Sequence, residues 1–278
     1  MTLLFDGDML VYRFCAACQE VNPFDKSIVE KACPYETWNT IEMRINQCHD
    51  IAYDFMLDNE LQGGSSSVNI VLCFSSERNF RKEVNPEYKA NRTQPKPVLY
   101  HEMVEKCRRL YDTETWDGLE ADDVLGILSD EYSVIVSGDK DLLQIEGYHL
   151  NLIDPEDGIH YVDEKSADFL FKVQCLSGDS TDGYYGCPGI GKKKAEAIIG
   201  NAFSNWWPNV VTTYENAMTP KTKTVKTEGG KKRTIKLKSV NRGLGEKDAL
   251  MTARMAYILR HDYEYKDGEV KLWQPCSY

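Results

Sequence analysis

Carboxylates fall in four tight groups along the chain: Asp6 with Asp8, Glu120 with Asp122 and Asp123, Asp139 with Asp141, and Asp179 with Asp182. Like charges held together repel, so a fold that gathers them needs a cation to offset them, and hard divalent ions such as Mg²⁺ suit all-oxygen donors. Asp139 and Asp141 stand two apart in Ser-Gly-Asp-Lys-Asp; in an extended chain both would point to one side of the strand. Glu120 and Asp123, three apart, would share a helix face, with Asp122 beside them near the helix start. Two of the groups also have a structural explanation. Acids in a first helical turn complement the helix dipole, and Asp179 and Asp182, in Gly-Asp-Ser-Thr-Asp-Gly, suit turn and N-cap positions.

Basic residues cluster as well. Asn79 to Arg92 mixes Arg81, Lys82, Lys89 and Arg92 with Phe80 and Tyr88, the combination of charge and stacking surface that a nucleic-acid end requires, or else a solvated loop with its two aromatics tucked into the core. Cys-Pro-Gly189-Ile-Gly191-Lys192-Lys193-Lys194 is a glycine-bearing turn that opens a helix, so backbone N–H groups and lysines would face a phosphate backbone. Lys221 to Lys238 is a third basic run, with Glu228-Gly229-Gly230 between two threonine- and lysine-rich arms; it fits a β-hairpin or a loop. The formal net charge of −11 therefore does not exclude nucleic acid, because the acids and the bases are segregated.

Positioning these residues takes a sizeable core, and 278 residues suffice for one large α/β unit or two modest domains. No apolar run approaches the roughly 20 residues of a membrane span, and the amino terminus lacks a signal-peptide pattern, so the expectation is a cytoplasmic protein with no membrane partner; a monomer is expected, although no sequence feature sets the oligomeric state. Nine scattered cysteines read as reduced thiols, and Cys15-x-x-Cys18 as packing, since no second zinc-spaced pair follows.

Thr2–Phe5, Val68–Phe74, Tyr132–Val136 and Tyr148–Ile153 read as buried strands. Trp38, Ile41, Ile45, Cys48, Ala52 and Phe55 mark an amphipathic helix that Gly63-Gly64 would terminate, and further helices are expected over 101–111 and 120–130. Alternating strands and helices predict an α/β fold with a mainly parallel sheet, whose ligand crevice lies beyond the carboxyl ends of the strands, where Asp6, Ser75, Asp139 and Asp141 fall. A boundary is placed at 174/175, between an α/β core and a mainly helical region.

The ordered set Phe5-Asp6-Gly7 with Arg13, Phe80-Arg81, Tyr88-Lys89-x-x-Arg92, Glu120-Ala-Asp122-Asp123, Ser-Gly-Asp139-x-Asp141, Gly-Asp179-x-x-Asp182 and Pro-Gly189-Ile-Gly191-Lys192 resembles the divalent-metal-dependent 5′-nucleases. That family comprises flap endonucleases, bacteriophage 5′-3′ exonucleases and the 5′-nuclease domain of bacterial DNA polymerase I; the free-standing bacteriophage enzymes are the nearest in size. The resemblance implies a PIN-like core, a helical arch or clamp over about 78–110 and a helix-three-turn-helix near 183–200. It implies two Mg²⁺ or Mn²⁺ ions among Asp6, Glu120, Asp122, Asp123, Asp139, Asp141, Asp179 and Asp182, with a K⁺ at the Gly189 turn. Lys89 and Arg92 would polarise phosphate; Arg13, Arg81, Gly189, Gly191, Lys192, Lys193 and Lys194 would contact DNA, and Tyr88 would stack on a terminal base. Asp8 is set apart as a helper, because the family varies there. Where relatives usually carry a carboxylate at the end of the second strand, this chain has Ser75, with the spacing to Phe80 one residue short, so either Glu77 substitutes or one metal is held weakly.

The implied function is metal-dependent hydrolysis of DNA at or near 5′ ends in duplex, nicked or flapped DNA, with RNA–DNA hybrids and primer removal left open. Two alternatives remain. Asp6-Gly-Asp8, with Gly138-Asp139 and Asp141, loosely resembles a haloacid-dehalogenase phosphatase, and Ser75 would fit a DNA-binding homologue with a weak catalytic site.

Overall fold

The computed structural model describes residues 1–25, 28–59, 67–201, 205–219, 222–226, 232–236 and 240–275. In chain order the first elements are β1 (Thr2–Asp6), α1 (Gly7–Ala17), β2 (Gln19–Val21), β3 (Val29–Ala32), α2 (Pro34–Asp58), β4 (Asn69–Cys73), α3 (Phe80–Val84), α4 (Tyr100–Leu110), β5 (Asp112–Glu114), α5 (Ala121–Leu128), β6 (Ser133–Ser137), β7 (Gly147–Asn151), β8 (His160–Val162) and α6 (Glu164–Ser177). Two compact units form. The first comprises Met1–Phe80, Thr93–Asp168 and Ile258–Lys271, and the second Arg81–Arg92, Phe169–Tyr257 and Leu272–Tyr278. The chain thus passes from one unit to the other at Asp168/Phe169, within α6, and the boundary read at 174/175 falls inside the same helix.

In the first unit the apolar runs pair into one six-stranded sheet, ordered β5-β4-β1-β6-β7-β8. Every neighbouring pair is parallel except β7 with β8. Leu3, Leu4 and Phe5 are all buried, as befits a central strand covered on both faces. Leu3 and Phe5 share a core with Leu10 of α1, Ile41 and Ile45 of α2 and Met103 of α4. Leu4 alternates to the other side, where α5 packs against β1 and β4. Burial of Trp38, Ile41, Ile45, Cys48 and Ala52 follows the 3.6-residue period expected of α2, and the face closes on Met56 in place of Phe55, which is half-buried. Ile41, Ile45 and Met56, fully buried, contribute roughly 1.5–3 kcal/mol each. The helix has Asn59 as its C-cap; Gly63 and Gly64, read as its terminators, lie outside the described residues. The expected helices over 101–111 and 120–130 are α4 and α5, the latter shorter because Ser129 is already extended.

The second unit continues α6 into the two-residue strands β9 (Gly178–Asp179) and β10 (Tyr184–Tyr185), then α7 (Lys192–Gly200), α8 (Trp206–Glu215), β11 (Met218–Thr219), β12 (Thr222–Lys226), β13 (Lys232–Lys236), β14 (Val240–Asn241) and α9 (Glu246–Ala256). Phe171, Trp206 and Tyr257 gather around Trp273, with ring centroids 5.3 to 6.4 Å from it. The basic run is a hairpin: β12 pairs antiparallel with β13, Thr224 opposite Thr234. Glu228-Gly229-Gly230, between the two strands in sequence, lies outside the described residues.

Candidate active site

Asp6 closes β1 and caps α1. One carboxylate oxygen accepts the Met9 N–H at 2.9 Å and the other the Ser137 hydroxyl at 2.9 Å. The residue is 4% exposed. Burial, reinforced by the charges of Asp8 and Asp139, pushes its carboxyl up to about 7, against the lowering effect of the two hydrogen bonds. A group poised this way gains most from a cation.

Asp139 and Asp141 are not on an extended strand, so the one-sided pair read from their spacing does not form. β6 ends at Ser137, and Asp139 is the N-cap of a 3₁₀ turn over Lys140–Gln144, its carboxylate accepting the Asp141 N–H at 2.9 Å. The backbone N–H groups at the start of that turn need an acceptor, and an aspartate supplies it. Asp139 nonetheless stays at the carboxyl edge of the sheet, its own N–H donating to Ser137 Oγ at 3.0 Å.

Glu120 is the N-cap of α5, and Asp122 and Asp123 lie in its first turn. The three differ in what they do. Asp123 is 0% exposed; one oxygen accepts the Glu120 N–H at 3.3 Å and the other the Leu259 N–H at 3.2 Å. It is a brace for the helix start, whereas Asp122 is half-buried.

Two further carboxylates join this edge. Asp8 reaches the segment just past β4: its Oδ2 accepts the Ser75 N–H at 2.9 Å and its Oδ1 the hydroxyl of Tyr100, in α4, at 2.5 Å. Glu114 stands in register with Cys73, which stands in register with Asp6. Sequence reading left Asp8 aside and passed over Glu114, which sits on a three-residue edge strand without a motif. The signal that could have drawn in Asp8 is the pairing of an extra acid after Asp6 with a missing one at Ser75. Among the described residues no three His, Cys, Asp or Glu side chains already stand in metal-holding array. The donor chemistry still fits a hard divalent ion, because the groups facing Asp6 are oxygen donors of like charge.

In the second unit the expected phosphate-binding segment is tied down by Asp182. Lys89 Nζ lies 3.4 Å from one Asp182 oxygen, Arg92 pairs with the other, and the Tyr88 hydroxyl donates at 3.3 Å. Tyr88 is 3% exposed, with its ring 6.2 Å from that of Tyr184, so in this arrangement it faces protein, the packed alternative named above. Arg81 is 2% exposed and donates to the carbonyls of Met255 and Tyr257 at 3.2 and 2.6 Å; it holds backbone together and does not face solvent. Asp179 accepts the Thr181 N–H at 2.6 Å in a local turn.

The turn before α7 follows the expected pattern. Gly189 has φ +80°, Gly191 is the N-cap, and Lys192, Lys193 and Lys194 are exposed. The Lys194 ammonium donates to the Gly189 carbonyl at 2.9 Å. Arg13 is exposed on α1.

Residues 1–172 match the family model described as the 5′-3′ exonuclease, N-terminal resolvase-like domain. The exonuclease of Escherichia phage T7 is 31% identical over 98% of this chain and 93% of its own length. The exodeoxyribonuclease of Enterobacteria phage T3 is 31% identical over 99% and 93%. Among solved structures, the one titled "Divalent metal ions (zinc) bound to T5 5'-exonuclease" aligns with a TM-score of 0.58 at 16% identity, covering 92% of this chain and 89% of that one, and so shares the fold. A mainly parallel sheet with acids along its carboxyl edge, and these matches over nearly the whole chain, agree: the protein belongs to the 5′-3′ exonuclease family.

Proposed function

We propose that the chain hydrolyses DNA phosphodiester bonds at or near 5′ ends, as a monomer, with divalent ions held by the acids at the carboxyl edge of its sheet. One observation carries the reading: the Asp6 carboxyl is buried at the end of β1 with Asp8 and Asp139 as charged neighbours, in a chain whose relatives are named exonucleases. The T3 relative's name, exodeoxyribonuclease, supports DNA as substrate, and the zinc in the T5 title supports a divalent ion. Two Mg²⁺ or Mn²⁺ ions are the proposed occupants.

Asp6, Glu120, Asp122, Asp139 and Asp141 would hold them, with Asp123 fixing the helix start that presents Glu120. Bound there, such ions supply a water of lowered pKa and stabilise charge on the oxygens around phosphorus. Lys89 and Arg92 add positive charge for the phosphate. Asp182 sets their position, and Asp179 shapes the turn before it. The N-terminus of α7, with Lys192 and Lys193, offers N–H groups and charge to a duplex backbone. A K⁺ at this turn would compete with the Lys194 ammonium for the Gly189 carbonyl.

The test uses 3′-labelled linear duplex, nicked, 5′-flapped and RNA–DNA hybrid substrates, with metal or chelator, for wild type and Asp139→Ala. The expected result is shortening from the 5′ end that requires metal and is lost in Asp139→Ala, with product lengths separating exonuclease from flap cleavage. Shortening from the 3′ end, or release of phosphate alone, would overturn the reading.

A further inference from the structure

Ser75 is a junction. Its backbone N–H donates to Asp8 Oδ2 at 2.9 Å, and its hydroxyl accepts the Ala121 N–H at 3.0 Å at the very start of α5. Asp8 is thereby brought to the end of β4 and, through one residue, to the Glu120–Asp123 group. Its second oxygen accepts the hydroxyl of Tyr100, a residue 4% exposed, at 2.5 Å. Charge-assisted bonds of that length hold a carboxylate in one place.

The first turn of α1 can lie this close because of Gly7. A Cβ there would meet the Cys73 carbonyl and the Phe74 ring at 2.8 Å. A residue larger than glycine would push α1 away from β4 and carry Asp8 out of reach of Ser75. Sequence, local structure and packing thus converge on one outcome: a carboxylate borne on α1 stands just past the carboxyl end of β4, where the chain runs on as Phe74-Ser75-Ser76 before reaching Glu77.

From this we infer that Asp8 is a working member of the metal centre, supplying from α1 the negative charge that β4 lacks, with Ser75 and Tyr100 as its positioning residues. The inference rests on the metal-dependent reading above. It predicts that the charge can be relocated: an acid at 75 would lie beside the same N–H groups and stand in for Asp8.

Binding of Mn²⁺ to the DNA-free chain, read as loss of the free-ion paramagnetic resonance signal, tests this without turnover. The comparison is wild type, Asp8→Asn, Asp8→Asn with Ser75→Asp, and Tyr100→Phe, each checked for folding by melting in chelator. The expected result is a loss of affinity of roughly 10- to 100-fold in Asp8→Asn, mostly restored by Ser75→Asp, with a smaller loss in Tyr100→Phe. Unchanged affinity in Asp8→Asn overturns the inference and leaves the metal reading standing. A loss that Ser75→Asp does not restore also overturns it, because Asp8 would then be only a structural link. A wild-type chain that binds no Mn²⁺ overturns both.

Discussion

Lys89 is tied to Asp182 twice: its backbone N–H donates to the Asp182 carbonyl at 2.7 Å, and its ammonium lies 3.4 Å from the Asp182 carboxylate. The backbone of Lys89 has φ +55°, a left-handed conformation that costs a non-glycine residue on the order of 1 kcal/mol and persists only where its surroundings impose it. Asp182 is what imposes it, and the same carboxylate fixes Arg92 and Tyr88.

Asp182→Asn should therefore loosen the whole segment. Hydrogen exchange at amides 85–92 should quicken, and stability should fall by about 1–3 kcal/mol, the cost of leaving a charged hydrogen-bonding group short of its partner. Exchange at the wild-type rate would mean that the segment is held by other interactions.

Gly126 in α5 passes so close to the Leu259 carbonyl that an added Cβ would sit 2.1 Å from that oxygen. The neighbouring link from the Leu259 N–H to Asp123 depends on the same approach. Gly126→Ala should cost about 1–3 kcal/mol in chemical denaturation, as overpacking does. Gly200→Ala, with nothing within 4 Å of its Cβ, is the control and should be neutral or slightly stabilising.

Two buried groups make stability depend on pH in opposite senses. Asp6 is raised to about 7 from 3.8, so in metal-free protein its contribution is complete below pH 4 and lost as pH rises through 7. His149 is lowered to about 4 from 6.5, chiefly by burial. Its contribution is complete above 6.5 and lost as pH falls towards 4. In chelator, Asp6→Asn should make stability climb more steeply with pH across this window, and His149→Gln should make it climb less. Parallel curves for all three proteins would refute the assignment.

The basic hairpin gives a salt-dependent test. Replacing Lys223, Lys226, Lys232 and Arg233 with Glu should weaken duplex binding and flatten the plot of log affinity against log salt, by about one unit for each phosphate no longer neutralised. An unaltered slope would remove the hairpin from the DNA-binding surface.

The strands and long helices were legible because their signal is periodic and local: β1, β4, β6 and β7 lie within two residues of their expected bounds. The acids' positions were legible too, since a parallel sheet places strand ends together. What the acids do once there was less so. Asp139 caps a turn, Asp123 braces a helix and Asp182 pins two cations, and each role depends on which N–H or cation lies opposite, a long-range fact. Arg81 and Tyr88 sit in a motif that reads as phosphate-facing, yet both are buried: Arg81, in the short helix α3, donates to the Met255 and Tyr257 carbonyls, and Tyr88, in the turn that follows, packs near Tyr184 and donates to Asp182. Asp8 shows the converse: its partner Ser75 is 67 residues away, and pairing alone reveals it.

In the proposed function, the carboxyl-edge acids hold the ions that cleave DNA from its 5′ end. That role is tested most directly by release of the 5′-terminal label from duplex DNA by wild type and Asp6→Asn, with Mg²⁺ and with chelator. The expected result is metal-dependent release that falls by about 10²- to 10³-fold in Asp6→Asn, the scale seen when one preorganised electrostatic element is removed. Release that survives chelation, or that Asp6→Asn leaves at the wild-type rate, would contradict it.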